Sequence, residues 1–127
     1  MNKTILVTGI LMALLSVLLG AFGAHSLKEW VDAEGVKSFE TGVRYQMYHG
    51  LFLMILGQLP IASIKFKKAI YVLTLCGVLL FSFSIYFLAT NGLTSFDFKN
   101  IAFLTPLGGS LLISAWVLLL SAVLTKK

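Results

Sequence analysis

TILVTGILMALLSVLLGAFGAHSL, residues Thr4 to Leu27, contains no Asp, Glu, Lys or Arg. A helix needs about 20 mainly apolar residues, each rising about 1.5 Å, to cross a bilayer. Working outward, three more runs are equally free of those four residue types: Tyr45 to Ile64, Ala69 to Phe96, and Asn100 to Thr125. Four such runs predict an all-α protein, a four-helix transmembrane bundle with spans at about 4–24, 42–64, 69–89 and 106–124. The whole chain, 1–127, reads as a single integral membrane domain.

Composition agrees with that reading. Of the 127 residues, 58% are hydrophobic and 12% charged, against about 45–50% and about 25% in soluble domains. Mean hydropathy is +0.95. So few polar residues cannot cover the surface of a soluble domain of this length, which excludes a soluble enzyme and a disordered chain. The net charge of +5 is not a nucleic-acid footprint, because the bases sit at the ends of apolar runs and anchor them. The single cysteine, Cys76, lies inside an apolar run and allows no intrachain disulfide.

The same charge map gives an orientation. With four spans, Lys3, Lys65, Lys67, Lys68, Lys126 and Lys127 fall on one side without an acid. All five acids fall on the other, with Lys28, Lys37, Arg44 and Lys99. The positive-inside rule then predicts both termini in the cytoplasm of a multi-pass protein of the cell (inner) membrane. The first run also resembles a signal peptide, with Ala21-Phe22-Gly23 as a small-residue cleavage site. Its apolar region of roughly 17 residues exceeds the 7–15 of such peptides, so it is read as a retained span.

Helix-end signals refine the outline. Ser26-Leu27-Lys28-Glu29 has the spacing of a capping box and predicts a short interfacial helix in the first outer loop, anchored by Trp30 and ended at Gly35; with only two turns available, the equal alternative is an ordered loop with a buried Trp. Thr105-Pro106 reads as the N-cap and first residue of the last span. Gly20-x-x-x-Ala24 offers a close helix approach.

The polar residues inside the membrane are the informative ones. His25 leaves the first span, and Tyr45, Gln46 and His49 lie on the second. Ser82, Ser84 and Tyr86 lie on the third, and Thr105 opens the fourth. Counted from the span ends, all belong to the outer half, so spacing predicts a polar cluster there, either interhelical glue or a ligand site. Two histidines are too few for a zinc site, which wants three or four ligands, so no metal and no cofactor is expected.

Three motifs carry a resemblance: Gly20-Ala21-Phe22-Gly23-Ala24-His25, Thr41-Gly42-Val43-Arg44-Tyr45-Gln46 with His49, and Thr105-Pro106-Leu107-Gly108-Gly109. Together they resemble the YgdD-like family of small multi-pass bacterial inner-membrane proteins, a domain-of-unknown-function family with relatives in eukaryotes. The resemblance implies a fold and no activity. The third span departs from it, with Phe83 where the family has Gly in Leu-Phe-Ser-Gly-Ser-x-Tyr, a change that bears on how closely this helix packs.

No nucleophile, base and acid occur together, so the leading expectation is a structural or interaction protein, not an enzyme. Its partners would be the lipid bilayer and a second copy or another membrane protein, with no nucleic acid. The alternative is binding or transport of a lipid or small amphipathic molecule through the outer polar pocket. Small four-helix drug exporters are the comparison, but they depend on a membrane-embedded Glu that the first span lacks.

Overall fold

The computed structural model describes residues 2–61, 63–90 and 102–125. Four α-helices make up almost all of it: α1 (Lys3–His25), α2 (Ala33–Leu56), α3 (Ile64–Ala89) and α4 (Leu104–Leu124). Among the described residues there is no strand. Asp97, Lys99, Lys126 and Lys127, used above for orientation, lie outside the described residues.

Three of the helices are long and apolar enough to cross a membrane: α1 with the turn that follows it, α3, and α4. Each covers its predicted span. α3 begins earlier than expected because Ser63 Oγ accepts from Phe66 N at 3.2 Å and caps it. That start puts Lys65, Lys67 and Lys68 inside its first turns. Lys67 Nζ then reaches back to the carbonyls of Gly57 (3.3 Å) and Leu59 (3.0 Å), just past the end of α2.

α2 is the exception. It starts at Ala33, well before Gly42, and ends at Leu56, well before Ile64. Its uncharged part, Tyr45–Leu56, is about 18 Å long at the usual rise. Its N-terminal part carries Glu34, Lys37, Glu40 and Arg44. Arg44 is exposed, and its Nη2 donates to Thr41 Oγ1 at 3.2 Å, one turn back towards the helix start.

The loop between α1 and α2 corrects two expectations. Ser26 keeps helical angles (φ −77°, ψ −38°), its N–H stays on Phe22 O, and its side chain caps nothing, so the capping box does not form. A single 3-10 turn, Leu27–Glu29, stands in place of an interfacial helix. Asp32 is the working cap: it is extended, and its Oδ1 accepts from Gly35 N at 2.8 Å. Gly35 therefore opens α2 and does not end a preceding helix. Leu27 is fully buried with Val36 and Phe39, which pins the turn to the bundle, while Trp30 stays 57% exposed and edge-on to Phe22.

α1 packs on α2, α2 on α3, and α3 on α4, so α1 and α4 flank the α2–α3 pair. Two glycine crossings set the close approaches. A Cβ on Gly9 would stand 2.6 Å from Gly50 O, and one on Gly108 would stand 2.8 Å from Gly77 O. Gly20-x-x-x-Ala24 is not such a crossing, since a Cβ on Gly20 would meet Val43 at an ordinary 3.5 Å and Ala24 is exposed. Phe83 does not loosen α3, because the tight contact with α4 is made at Gly77 and Phe81, and Phe83 instead tilts against Tyr86. The outward faces of α1 and α4 are apolar: Leu14, Val17 and Leu18 on one, Ile113, Val117 and Leu120 on the other are all exposed.

Candidate functional site: a buried polar network

A backbone amide or carbonyl already used within a helix leaves side chains to find one another, or spare carbonyl lone pairs, when no water is present. Gln46 does both. Its Nε2 donates to Met12 O on α1 (3.0 Å), and its Oε1 accepts from Tyr86 OH on α3 (2.7 Å). One side chain on α2 thus ties three helices, and it is 1% exposed. Above it, Ser82 Oγ donates to Gly42 O at 2.8 Å. Gly42 also leaves room for the Tyr86 ring, whose Cε1 would lie 2.7 Å from any Cβ there.

His49 links α2 to α4. Trp116 Nε1 is a donor only, so the 3.0 Å contact with His49 Nε2 makes that nitrogen the acceptor. The proton is then assigned to Nδ1, which donates to Tyr45 O at 2.7 Å. Both nitrogens of a neutral ring are used. Phe52 and Trp116 pack beside it with centroids 4.3 Å apart. Nearer the start of α4, Ser84 Oγ donates to Phe81 O (2.9 Å) and so accepts from Thr105 Oγ1 (2.6 Å), joining α3 to α4.

Thr105 therefore bridges helices and does not cap. α4 starts two residues earlier than expected, at Leu104, with Phe103 in the cap position and no side-chain bond. Pro106 still lies within the first turn, where its missing N–H costs nothing.

Of the eight candidate residues, six enter this network through their side chains: Gln46, His49, Ser82, Ser84, Tyr86 and Thr105. Tyr45 contributes its backbone carbonyl, while its ring lies against Phe81 with centroids 4.9 Å apart. His25 is exposed at the end of α1, apart from the network. The six occupy three separate helix contacts and do not converge on one chamber. Among the described residues, no buried side-chain nitrogen or oxygen lacks a partner, and no group of three or more His, Cys, Asp or Glu could hold a metal.

Gln46 is level with Met12, and Gly50 packs on Gly9 and Ala13, near the middle of α1. The network therefore runs from the Ser84–Thr105 end of the bundle to its middle at His49.

Trp116 was missed in the sequence, where it counts as apolar. Its signal was available: an indole N–H in a 21-residue apolar helix needs an acceptor. Thr8 and Tyr71 were missed as a pair; their hydroxyls meet at 2.9 Å between α1 and α3.

Long apolar helices flanking a fully bonded polar interior define a small helical membrane protein. Residues 19–109 match a family described as "Protein of unknown function (DUF423)", and the chain belongs to that family. It is 38% identical over 119 residues to the UPF0382 membrane protein SH2409 of Staphylococcus haemolyticus, covering 93% of each chain. It is 34% identical over 122 residues to the UPF0382 membrane protein YwdK of Bacillus subtilis, covering 94% of this chain and 95% of that one. A UPF0382 membrane protein of Haemophilus influenzae is 35% identical over 102 residues, 80% of this chain and 77% of its own. No solved structure matches.

Proposed function

We propose that this DUF423 protein is a YgdD-like, four-span protein of the bacterial inner membrane, both termini cytoplasmic, with a structural or interaction role and no catalysis. The observation that carries the role is Gln46, whose amide donates to α1 and accepts from α3. A polar group satisfied at both ends by neighbouring helices is glue; a ligand site keeps a donor or acceptor to offer. His49 is consumed the same way, by Trp116 and Tyr45.

Support for α2 as the fourth span is geometric. Its inner end meets the start of α1, where Asn2 N donates to Gly57 O at 2.7 Å. Its outer half runs past Gly20 and Gly23, so it reaches both levels that α1 reaches. Arg44 fits there by extending its guanidinium outward along the helix. The outward apolar faces of α1 and α4 are where lipid, a second copy or another membrane protein would be met.

The test compares His49→Ala with the parent chain, purified from membranes. Glue predicts a lower melting temperature and an unchanged set of co-purifying molecules in the intact mass spectrum. Release of a stoichiometric small molecule at unchanged stability would replace this reading with the ligand-site one.

A further inference from the structure

Because α1 and α3 both rest on α2 and are not packed closely on each other, a groove separates them along the bundle. At the lysine-rich end it widens into a cleft of about 590 Å³ whose lining includes Lys3, Lys67 and Lys68 and, among the described residues, no acid. Lys67 is engaged with Gly57 and Leu59 carbonyls, which leaves Lys3 and Lys68 exposed at the rim. Ile5, Ile61 and Ile64 supply apolar walls below them. Further in, about 5–8 Å along the helices from those lysines, the Thr8 and Tyr71 hydroxyls bridge the groove. Past that bridge it opens again, about 220 Å³ walled by Leu11, Leu15, Leu75 and Leu79, with almost no polar surface.

The charge at the mouth is otherwise unfavourable. Lys3 lies at the start of α1 and Lys65, Lys67 and Lys68 at the start of α3, ends where the helix dipole already carries partial positive charge. An anion there is attracted by both dipoles and by the exposed ammonium groups of Lys3 and Lys68. The order of chemistry along the groove is cationic, then hydroxyl, then apolar. A phospholipid entering from that leaflet presents phosphate, ester carbonyls and acyl chain in the same order. Leu11, Leu15 and Leu79 are exposed along the wall, so the chain could enter sideways from the bilayer.

We infer that the α1–α3 groove seats one anionic phospholipid of the lysine-side leaflet, its phosphate between Lys3 and Lys68 and one acyl chain along Leu11 and Leu79. The headgroup end of this site lies apart from the Gln46–His49 network, and only its acyl path runs past Met12 and the bonded Gln46.

Native mass spectrometry of the full chain in detergent, titrated with dioleoyl phosphatidylglycerol, dioleoyl phosphatidylcholine or inorganic phosphate, tests it. One phosphatidylglycerol should be retained, at least tenfold more tightly than phosphatidylcholine. Lys3→Gln with Lys68→Gln should weaken it roughly thirtyfold, whereas Lys65→Gln, outside the cleft, should change it less than twofold. Leu79→Trp, filling the acyl path, should weaken both lipids several-fold at an unchanged melting temperature. An equal loss with Lys65→Gln would mean diffuse surface charge and overturn the site. So would displacement of the lipid by millimolar phosphate, or unchanged lipid binding by a folded Leu79→Trp protein.

Discussion

Trp116 donates its indole N–H to His49 Nε2 across 3.0 Å, and this single bond ties α2 to α4 at mid-bundle. It also dictates the imidazole proton, leaving it on Nδ1 towards Tyr45 O. Trp116→Phe keeps most of the packing against Phe52 and removes only the donor. Bonds of this kind in membrane proteins average about 0.6 kcal/mol with a maximum near 1.7 kcal/mol. A double-mutant cycle of Trp116→Phe and His49→Ala, read by reversible unfolding in mixed micelles, should give a coupling within that range. No coupling would mean the two side chains do not meet.

Gln46 should behave differently, because it is bonded on both sides. Tyr86→Phe leaves Oε1 buried without a donor, an omission that costs about 1–3 kcal/mol. Gln46→Leu removes the whole amide and strands only the Tyr86 hydroxyl and a Met12 carbonyl already bonded to Ser16 Oγ at 2.8 Å. The double substitution Gln46→Leu with Tyr86→Phe should therefore be more stable than the sum of the two single losses implies. Strict additivity in unfolding measurements would contradict the shared bond.

Adjacent glycines on α4 make a matched pair for the crossing with α3. A Cβ on Gly108 falls against Phe81 N and 2.8 Å from Gly77 O, all backbone, which cannot swing aside. A Cβ on Gly109 has only Phe81 ring atoms near it, the closest at 3.6 Å. Gly108→Ala should therefore destabilise by about 1–3 kcal/mol or more through forced separation of the helices. Gly109→Ala should be near neutral. Equal melting temperatures for the two variants would show that α3 and α4 do not cross here.

Charge spacing was sufficient to find α1, α3 and α4, although α3 starts before its uncharged run because Ser63 caps it ahead of the lysines. It was insufficient for α2, whose cap, Asp32, sits among charges, so the helix starts inside what reads as loop. The amphipathic half of α2 packs Val36 and Phe39 inward and sends Lys37 and Arg44 out, a pattern an uncharged-run criterion discards. Gln46, His49 and the serines were legible as groups that lipid cannot satisfy. Their partners were not, since Met12 O and Gly42 O are backbone atoms and the Gly9–Gly50 register depends on how two distant helices slide past each other.

The two rival helix starts in the first loop can be separated directly. Asp32 Oδ1 holds Gly35 N at 2.8 Å, whereas Ser26 caps nothing. Asp32→Ala should cost about 1 kcal/mol, and Asp32→Asn or Asp32→Ser should restore most of it. Ser26→Ala should be silent. A Ser26→Ala loss comparable to that of Asp32→Ala would reinstate the capping box.

Orientation gives the last prediction. The described ends of the bundle differ sharply: one carries Lys3, Lys65, Lys67 and Lys68, the other Asp32, Glu34 and the Leu27–Glu29 turn. Retention of basic ends on the cytoplasmic side predicts an internal lysine end. With Cys76→Ala as background, since that thiol is exposed on α3, Glu34→Cys should react with an impermeant maleimide in intact cells. Asn2→Cys and Thr125→Cys should react only after the membrane is opened. Because α1 is antiparallel to α2 and α3 to α4, Asn2 and Thr125 must respond alike if all four helices cross. Labelling of Asn2→Cys but not Thr125→Cys would mean that α2 does not span, and labelling of both in intact cells would invert the protein. Adding lysines beside Glu34 supplies the complementary arm: as their number rises, the fraction of Glu34→Cys chains that label should fall, because the retention signal then acts on the opposite end.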